Sequence, residues 1–303
     1  MRVAIVGYGG IANFHVEQLR RFPEVQITVV FGLKPDRAAA FAAAQGIPRS
    51  TTDYAETVSL ADAVVICSPS HFHTEQARQT LQAGRHTLVE LPACENAAEA
   101  AQLKAEAEKN GVALRCAHTS RFLSPPQRVR EYVQRGVLGE IQQVNASRYI
   151  PPRQRNWVDD ALLHHSGHIM DLCLEWFGDL APLACAGLPQ IQNAQSVSWM
   201  GKLPNGAPVA ASVSYKGHLR SYTITVVGEH HTVETDVLSY VRSDLTELEF
   251  RGEEQKLFQK AVYEQDAAFL QACSGEAAPV SWSTTIRLAQ VVDQFRQLAS
   301  SQT

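Results

Sequence analysis

The sequence predicts an α/β fold with a parallel sheet in the first part of the chain, followed by an α+β domain with an open, mostly antiparallel sheet. Three observations predict it. β-Branched runs alternate with amphipathic stretches up to residue 118, strand-like alternation dominates after that residue, and helical periodicity returns near the end. The 303 residues suffice for two domains. We therefore place one domain at residues 1–118 and another at 119–303, whose last helix could pack back on the first.

In the first domain, each short apolar run is followed by a stretch with helical spacing, which is typical of βαβ units. The apolar runs are RVAIV, ITVVF, AVVIC, HTLVE and VALRC. The helical stretches are residues 11–22, 36–44, 74–83 and 97–110. Parallel strands end at one edge of their sheet, and α/β sheets bind ligands at that edge.

In the second domain the pattern changes, and predicted strands dominate between predicted helices. The predicted helices are residues 126–135, 162–177, 263–273 and 283–298, and the predicted strands include residues 141–150, 220–227 and 232–236. The segment QSVSWMGKLPNGAPVAASVSY predicts two more strands joined around Asn205-Gly206, a strong hairpin signal.

Composition and charge limit the class of protein. Hydrophobic residues make up 45% of the chain and charged residues 19%, which predicts a folded globular protein. The net charge of −4 gives no general attraction to nucleic acid or to an anionic membrane. The six cysteines include no C-x-x-C pair, and no stretch approaches the ~18 apolar residues of a membrane span. We expect a cytoplasmic protein that binds neither nucleic acid nor membrane.

A glycine-rich turn follows the first apolar run and opens the first helix. The turn reads Gly7-Tyr8-Gly9-Gly10-Ile11-Ala12. In a G-x-G-x-x-A turn the first glycine permits a tight turn, the second lets the backbone approach a pyrophosphate, and the alanine keeps helix and sheet close. The helix N-terminus adds N–H groups and a positive dipole end. The turn predicts a dinucleotide site, with a glycine turn without a ligand as the alternative.

The end of the second predicted strand bears on which dinucleotide binds. A domain that binds NAD usually carries Asp or Glu there for the ribose 2′-hydroxyl, whereas this chain reads Phe31-Gly32-Leu33-Lys34. Lys34 and Arg37 would suit a 2′-phosphate, although both could belong to an ordinary solvated helix face. The sequence favours NADP as the cofactor, with NAD as the other possibility.

These features resemble the Gfo/Idh/MocA family of oxidoreductases over essentially the whole chain. The segments that carry the resemblance are VGYGGIA, CSPSHFH, VELP, HHSGHIMD and the tail YEQDAAFLQACSGEAAPVSWSTTIRLAQVV. The resemblance implies a Rossmann domain, a second domain whose open sheet forms a homo-oligomer (a dimer or tetramer), and hydride transfer with NAD(P). It also favours cofactor contacts for Ser68, Pro69 and His73, and for Glu90 and Leu91. A simple turn after the third strand and local backbone capping by Glu90 are the alternatives.

Two positions depart from the family pattern. The usual Glu-Lys-Pro has Leu91 in place of its lysine, and leucine cannot polarise the reacting oxygen. The usual aspartate four residues before the family's histidine is His164, with His168 at the histidine position. Both departures resemble a narrower branch of the family, which also has a His-Thr-x-Arg-Phe segment like the one that starts at His118. That branch oxidises the cyclic hemiacetal of an aromatic ring-cleavage product with NADP.

Three histidines within five residues mark the helix predicted at residues 162–177. At about 100° per residue, His164, His168 and Asp171 share one helix face, and His165 borders it. Imidazole ordinarily titrates near neutral pH, which suits a base that accepts a hydroxyl proton as hydride leaves. We assign the base to His168, with His164 assisting and His165 within reach. Structural histidines are one alternative and zinc is another, but H-E-x-x-H is absent from the sequence and we predict no metal.

Basic residues near the start of the second domain predict a carboxylated small-molecule substrate. Guanidinium groups bind carboxylates through paired hydrogen bonds. We expect Arg121, with Arg153 or Arg155, to hold the substrate together with His118 and Asp171; a solvated basic face is the alternative.

Three functions are compatible with the sequence. The preferred one is an NAD(P)-dependent dehydrogenase that moves hydride between a hydroxyl or cyclic hemiacetal carbon of a small, carboxylated substrate and the nicotinamide. The second is a sugar or inositol-type polyol dehydrogenase, and the absent lysine argues against it. The third is a catalytically silent NAD(P)-binding regulatory protein, and the histidines argue against it.

Overall fold

The computed structural model describes residues 1–152, 159–245 and 250–301. The chain divides into two compact units. The first comprises Met1–His118 with Val262–Ile286, and the second comprises Thr119–Ala261 with Arg287–Thr303. The sequence-based division after residue 118 assigned residues 262–286 to the second domain, whereas in the structure they belong to the first unit.

The first unit contains a six-stranded parallel sheet, as the alternating runs predict. Its strands are β1 (Arg2–Val6), β2 (Gln26–Phe31), β3 (Ser50–Thr51), β4 (Ala63–Ile66), β5 (His86–Glu90) and β6 (Leu114–Ala117). They lie in the order β3-β2-β1-β4-β5-β6, and neighbouring strands are parallel. The strand order reverses between β1 and β4, and doubly wound sheets bind ligands at the carboxyl ends of the strands at such a point.

Two of the five helices that lie within residues 1–118 of the first unit have a side-chain N-cap. The five helices are α1 (Gly10–Leu19), α2 (Pro35–Ala44), α3 (Tyr54–Ser59), α4 (His73–Gln82) and α5 (Ala97–Asn110), with a 3-10 turn at Ser70–Phe72 before α4. Asp53 caps α3 by accepting from the N–H of Ala55 at 2.8 Å, and Asn96 caps α5 by accepting from that of Glu99 at 2.9 Å. Gly111 ends α5 with a left-handed φ of 64°.

The core of the first unit joins the middle of the sheet to its helices. Ile5, Val65 and Leu88 of the sheet cluster with Val16 of α1 and with Phe269 from the segment 262–286. Strand β4 is buried along its whole length and β1 from its second residue onward. Burial on both faces explains why these strands read as continuous apolar runs.

The second unit contains an eight-stranded, mostly antiparallel sheet, which confirms the predicted fold class. Its strands are β7 (Ile141–Tyr149), β8 (Ala181–Leu188), β9 (Ser196–Lys202), β10 (Pro208–Ser214), β11 (Ser221–Gly228), β12 (Thr232–Asp236), β13 (Tyr240–Ser243) and β14 (Phe250–Arg251). They lie in the order β14-β13-β12-β11-β7-β10-β9-β8, and β7 pairs with β10 in parallel. The predicted hairpin is confirmed: Lys202 pairs with Pro208 across a turn in which Gly206 has a φ of 91°.

Helices cover one face of the second sheet. The remaining helices are α6 (Ser124–Gln134), α7 (His165–Phe177), α8 (Glu254–Cys273) and α9 (Trp282–Ser301), and the division between the units falls within α8 and α9. Trp199 of β9 packs against Phe295 of α9, with ring centroids 5.3 Å apart. Within the described ranges, none of the helices combines the length and the hydropathy that crossing a bilayer requires.

Two helices begin three or more residues from their predicted start. Helix α7 begins at His165 rather than at residue 162, because Asp160 caps a separate turn by accepting from the N–H of Leu162 at 2.8 Å. Helix α8 begins at Glu254 rather than at residue 263. The sequence missed α3, β3, β13 and β14, since elements of two to six residues show too little periodicity. It also missed the edge strand β8.

Candidate active site

The turn after β1 has the geometry of a phosphate-binding turn. Gly7 has a φ of 108°, which favours glycine. A Cβ on Gly7 would lie 2.6 Å from the carbonyl oxygen of Cys67, which follows β4, so a side chain does not fit there. By contrast, a Cβ on Gly9 or Gly10 would meet nothing within 4 Å. The backbone at these two glycines is therefore open to a ligand.

The start of α1 fits the pyrophosphate of a dinucleotide. Gly9 is the N-cap residue of α1, and no described side chain caps this helix. The N–H groups of the first turn and the positive end of the helix dipole suit an anion. Ala12 is fully buried and Ile11 packs against the core, so helix and sheet lie close together. The residues predicted to contact the cofactor here lie in the turn and in the first turn of α1; they are Gly7, Gly9, Gly10, Ile11 and Ala12.

Two cations lie beyond the end of β2. Lys34 is the N-cap residue of α2, and Arg37 lies in its first turn. Both side chains are exposed, as is that of Asp36 between them in sequence. Gly32, at the position where a carboxylate would bind the ribose, is buried. The end of β2 therefore presents two cations without a carboxylate at residue 32.

His73 connects the segments that follow β4 and β5. The imidazole is buried at the start of α4, with Nδ1 2.8 Å from the carbonyl oxygen of Pro92 and Nε2 2.8 Å from that of Ser68. Ser68 Oγ donates to Oε1 of Gln76 at 2.5 Å, and Pro69 is partly exposed. His73 thus links the segments after β4 and β5, whose residues were predicted to contact the cofactor.

His15 of α1 lies between two carboxylates, a contact that the sequence did not reveal. Nδ1 lies 2.8 Å from Oδ1 of Asp266, and Nε2 lies 2.8 Å from Oε1 of Glu90 at the end of β5. Burial disfavours the imidazolium and is the largest single influence. The carboxylates of Asp266 and Glu90 together outweigh it and raise the pKa of His15 from 6.5 to about 10. Burial also raises the pKa of Asp266, against the opposing effect of His15. A charged imidazolium therefore donates to Glu90, whose side chain is 16% exposed.

Two further predicted residues of the first unit are buried. His118 follows β6, and its Nε2 lies 3.0 Å from Oγ1 of Thr285 in the same unit. Leu91 follows β5 and is buried as well. Since a leucine side chain has no polar atom, a side chain that donates or accepts a proton has to belong to another residue.

His164, His165 and His168 lie together at the start of α7, and we refer to them as the histidine cluster. The ring centroids of His164 and His168 are 5.7 Å apart, those of His164 and His165 are 4.5 Å apart, and those of His165 and His168 are 6.5 Å apart. His165 is buried, whereas His164 and His168 are partly exposed. His164 and His168 are therefore the two rings that a ligand can reach.

Two hydroxyl groups and a carboxylate contact the histidine cluster. Oγ of Ser120 lies 3.3 Å from Nδ1 of His168. Oη of Tyr215 lies 2.9 Å from Nδ1 of His164, and Oδ2 of Asp159 lies 3.4 Å from the same nitrogen. None of these three residues was predicted from the sequence. Ser120 was within a family-like segment and Asp159 lies close to His164 in sequence, but no spacing connects Tyr215 with α7.

Asp171 binds Arg121. Arg121 donates from Nε to Oδ2 at 2.9 Å and from Nη2 to Oδ1 at 2.7 Å. The pair is buried, with 10% of the Arg121 side chain and 1% of the Asp171 side chain exposed. Helix geometry predicted that Asp171 would point to a ligand beside His168, whereas its carboxylate is occupied by Arg121. The other predicted arginines, Arg153 and Arg155, lie outside the described residues.

The arrangement suits proton transfer. The imidazole of His164 and the phenol of Tyr215 lie within hydrogen-bond distance of each other. Imidazole accepts protons near neutral pH. In the part of the chain that the structure describes, no group of three or more His, Cys, Asp or Glu could hold a metal ion.

Comparison with known proteins identifies relatives that are named dehydrogenases. Residues 1–118 match a protein family described as an oxidoreductase family with an NAD-binding Rossmann fold. The chain is 30% identical over 228 residues to 4-carboxy-2-hydroxymuconate-6-semialdehyde dehydrogenase of Sphingobium sp. (strain NBRC 103272 / SYK-6), which covers 71% of this chain and 72% of that protein. It is 26% identical over 208 residues to scyllo-inositol 2-dehydrogenase (NADP(+)) IolW of Bacillus subtilis (strain 168), covering 66% of this chain and 58% of that one.

The fold is also that of a solved structure, GenD2 from gentamicin A biosynthesis in complex with NAD. The TM-score is 0.88 at 20% sequence identity, over 100% of this chain and 95% of that chain. The similarity to the Sphingobium dehydrogenase confirms the resemblance that the motifs indicated. The chain belongs to the Gfo/Idh/MocA family of oxidoreductases.

Proposed function

We propose that the protein is an NADP-preferring dehydrogenase that removes hydride from a hydroxyl or cyclic hemiacetal carbon of a small, carboxylated substrate. The observation that carries the proposal is the histidine cluster, in which His164 and His168 are partly exposed and each contacts a hydroxyl group. A chain whose Leu91 replaces the family's lysine needs another group for the hydroxyl proton, and imidazole is chemically suited to accept it.

His168 is the proposed proton acceptor. Its Nδ1 lies 3.3 Å from Oγ of Ser120, and we assign the donor role to the Nδ1–H. That tautomer puts the ring's lone pair on Nε2, which takes the proton of the substrate hydroxyl as the C–H bond gives up its hydride. Ser120 thus acts as a positioning residue, since it sets which nitrogen is basic.

His164 is proposed to assist at the same oxygen. Its Nδ1 lies beside Oη of Tyr215 and Oδ2 of Asp159, at 2.9 and 3.4 Å. A hydroxyl and a carboxylate beside one nitrogen orient the ring. His165 is buried against His164 and Tyr215, with ring centroids 4.5 Å from each, and we propose that it supports the ring of His164.

The first unit is proposed to bind the cofactor through the glycine turn. When bound, a nicotinamide dinucleotide supplies the hydride acceptor. Gly9 and Gly10 leave room for the pyrophosphate. Glu90, held by His15, is the proposed contact for the nicotinamide ribose, with Ser68, Pro69 and His73 in the neighbouring segments. The exposed Lys34 and Arg37 support a preference for the 2′-phosphate of NADP.

A carboxylate on the substrate is supported by the name of the Sphingobium relative and by the basic residues of the second unit. We propose that Arg121, whose Nε and Nη2 donate to Asp171, is one contact for this carboxylate. Arg153 and Arg155 remain candidates for the second contact, and His118 for a further one.

Spectrophotometry tests the proposed function. NADP reduction is followed at 340 nm with a panel of carboxylated cyclic hemiacetals, inositols and neutral sugars. We expect turnover with the carboxylated hemiacetals. Turnover confined to inositols or sugars would replace the proposal by a polyol dehydrogenase. Cofactor binding without turnover on any member, seen by fluorescence titration with NADPH, would favour a regulatory protein.

We also infer a homo-oligomer formed through the open face of the second sheet. On that face β9 and β10 present small side chains, among them Ser198 and Ser212, whose Oγ atoms are 2.7 Å apart. Met200 on the same face of β9 is 48% exposed. A broad sheet face of small side chains, with Met200 exposed on it, suits contact with a second copy.

A further inference from the structure

The aromatic ring of Tyr8 occupies the space beside Gly32. A Cβ built on Gly32 would lie 2.2 Å from Cε1 and 2.5 Å from Cδ1 of Tyr8, and 3.3 Å from Cβ of Ala38. The first two distances are far inside van der Waals contact. Gly32 is buried, and its N–H donates to the carbonyl oxygen of Thr51 at 3.1 Å. With the ring of Tyr8 in this position, a side chain at residue 32 does not fit.

Residue 32 is also the position that distinguishes the two dinucleotides. It follows β2, where a carboxylate accepts hydrogen bonds from the ribose 2′-hydroxyl of NAD and repels the 2′-phosphate of NADP. Tyr8 belongs to the glycine turn, between the glycines that shape it, and its side chain is partly exposed. The turn requires glycine at residues 7 and 9 but places no demand on residue 8. The turn therefore does not determine which side chain stands at residue 8.

We propose that the ring of Tyr8 fixes the specificity for NADP, because it fills the volume that a ribose-binding carboxylate at residue 32 would need. The proposal rests on the proposed preference for NADP. The cations Lys34 and Arg37 then meet the 2′-phosphate without a competing carboxylate at residue 32. Tyr8 and Gly32 act as a pair: a carboxylate at residue 32 can act only when the ring is gone.

A double-mutant cycle tests the pair by binding rather than by turnover. NADPH and NADH are titrated into wild type, Gly32→Asp, Tyr8→Ala and the double variant, and cofactor fluorescence gives each Kd. We expect the double variant to shift the ratio of the two Kd values toward NADH by at least about tenfold relative to wild type. Each single variant should change that ratio by less than about threefold. Gly32→Asp alone should weaken the binding of both cofactors, because its side chain collides with the ring.

Tyr8→Phe is the matched control, since it keeps the ring and removes the hydroxyl. Tyr8→Phe/Gly32→Asp should behave like Gly32→Asp. Thermal unfolding supplies a readout without cofactor: Gly32→Ala should lower the Tm by several degrees in the wild-type background and not in the Tyr8→Ala background. If Gly32→Asp does not fold, the Tyr8→Ala/Gly32→Asp variant should, because the collision is removed.

Three results would overturn the pairing. The first is the full shift toward NADH in Gly32→Asp alone, which would mean that the ring moves aside. The second is a double variant that still prefers NADPH as strongly as wild type does. The third is an equal loss of Tm for Gly32→Ala in both backgrounds. A wild-type protein that binds NADH more tightly than NADPH would instead contradict the proposed cofactor preference, while the thermal comparison still reports on the pair.

Discussion

Arg121 donates two parallel hydrogen bonds to the carboxylate of Asp171, at 2.9 Å from Nε and at 2.7 Å from Nη2. Nη2 also donates to the backbone carbonyl of Asp171 at 3.1 Å. Both side chains are buried, and such a pair is costly to break because the remaining charge has no compensation. Two residues that were predicted separately to bind the substrate therefore form one ion pair. This pair fixes the start of the second unit against α7.

Asp171→Ala should destabilise the protein strongly. Removing one partner of a buried ion pair typically costs about 3–5 kcal/mol in the free energy of unfolding, measured here by urea denaturation. Arg128→Ala is the control, because Arg128 pairs with Glu131 at 3.0 Å on the surface and should cost less than about 1 kcal/mol. Equal losses in the two variants would show that the buried pair contributes no special stability.

Arg121→Lys separates a structural role from a substrate role. An ammonium group keeps the charge but cannot reproduce the paired hydrogen bonds of the guanidinium. We expect a higher KM for a carboxylated substrate and a smaller change for its uncharged ester. A loss of stability alone would affect both substrates alike, so an equal change in the two KM values would rule out the proposed contact with the carboxylate.

His168→Asn should lower kcat by about 10²- to 10⁴-fold while the Kd for NADPH stays near that of wild type. The reason is that asparagine keeps a polar side chain but cannot accept the hydroxyl proton. His165→Asn is the control from the same cluster, because His165 is buried behind His164. A larger loss of kcat for His165→Asn would transfer the role of base to His165.

The buried His15 should make stability depend on pH above neutrality. Its pKa is about 10 in the folded protein against 6.5 for the ordinary group, so folding favours the protonated ring. This contribution is fully present below pH 6.5 and is lost as pH rises toward 10. The difference in the free energy of unfolding between wild type and His15→Gln should therefore be largest near pH 6 and shrink toward pH 10.

The control for His15 is His71→Gln, since His71 lies on the surface. Its effect should stay below about 0.5 kcal/mol. A difference between wild type and His15→Gln that grew with pH would show that the ring is neutral in the folded protein.

Met200→Arg should reduce the molar mass of the protein in solution. An interface through the open sheet face would bring a buried charge from each copy, and unpaired buried charge is costly. Light scattering after size-exclusion chromatography gives the mass. Leu219→Arg is the control, because Leu219 is 82% exposed and lies outside the strands. An unchanged mass in Met200→Arg, with wild type an oligomer, would move the interface elsewhere.

The sequence by itself determined the parallel sheet, the hairpin and the glycine turn. Each depends on local periodicity or on a backbone conformation that few residues adopt, and both can be recognised from neighbouring residues. Gly7 illustrates this, since its φ of 108° is available at low energy to glycine alone. The histidine cluster was found for the same reason: residues four apart on a helix share a face whatever the rest of the chain does.

The tertiary structure alone decided which side chains meet across elements. His15 contacts Asp266 and Glu90, which are 251 and 75 residues away in sequence. His164 contacts Tyr215 at a separation of 51 residues, and helix spacing gave no sign that Asp171 would face Arg121 rather than a ligand. Such pairs depend on how packed elements approach one another. A periodic pattern fixes the face on which a residue lies, but it carries no information about what that face will meet.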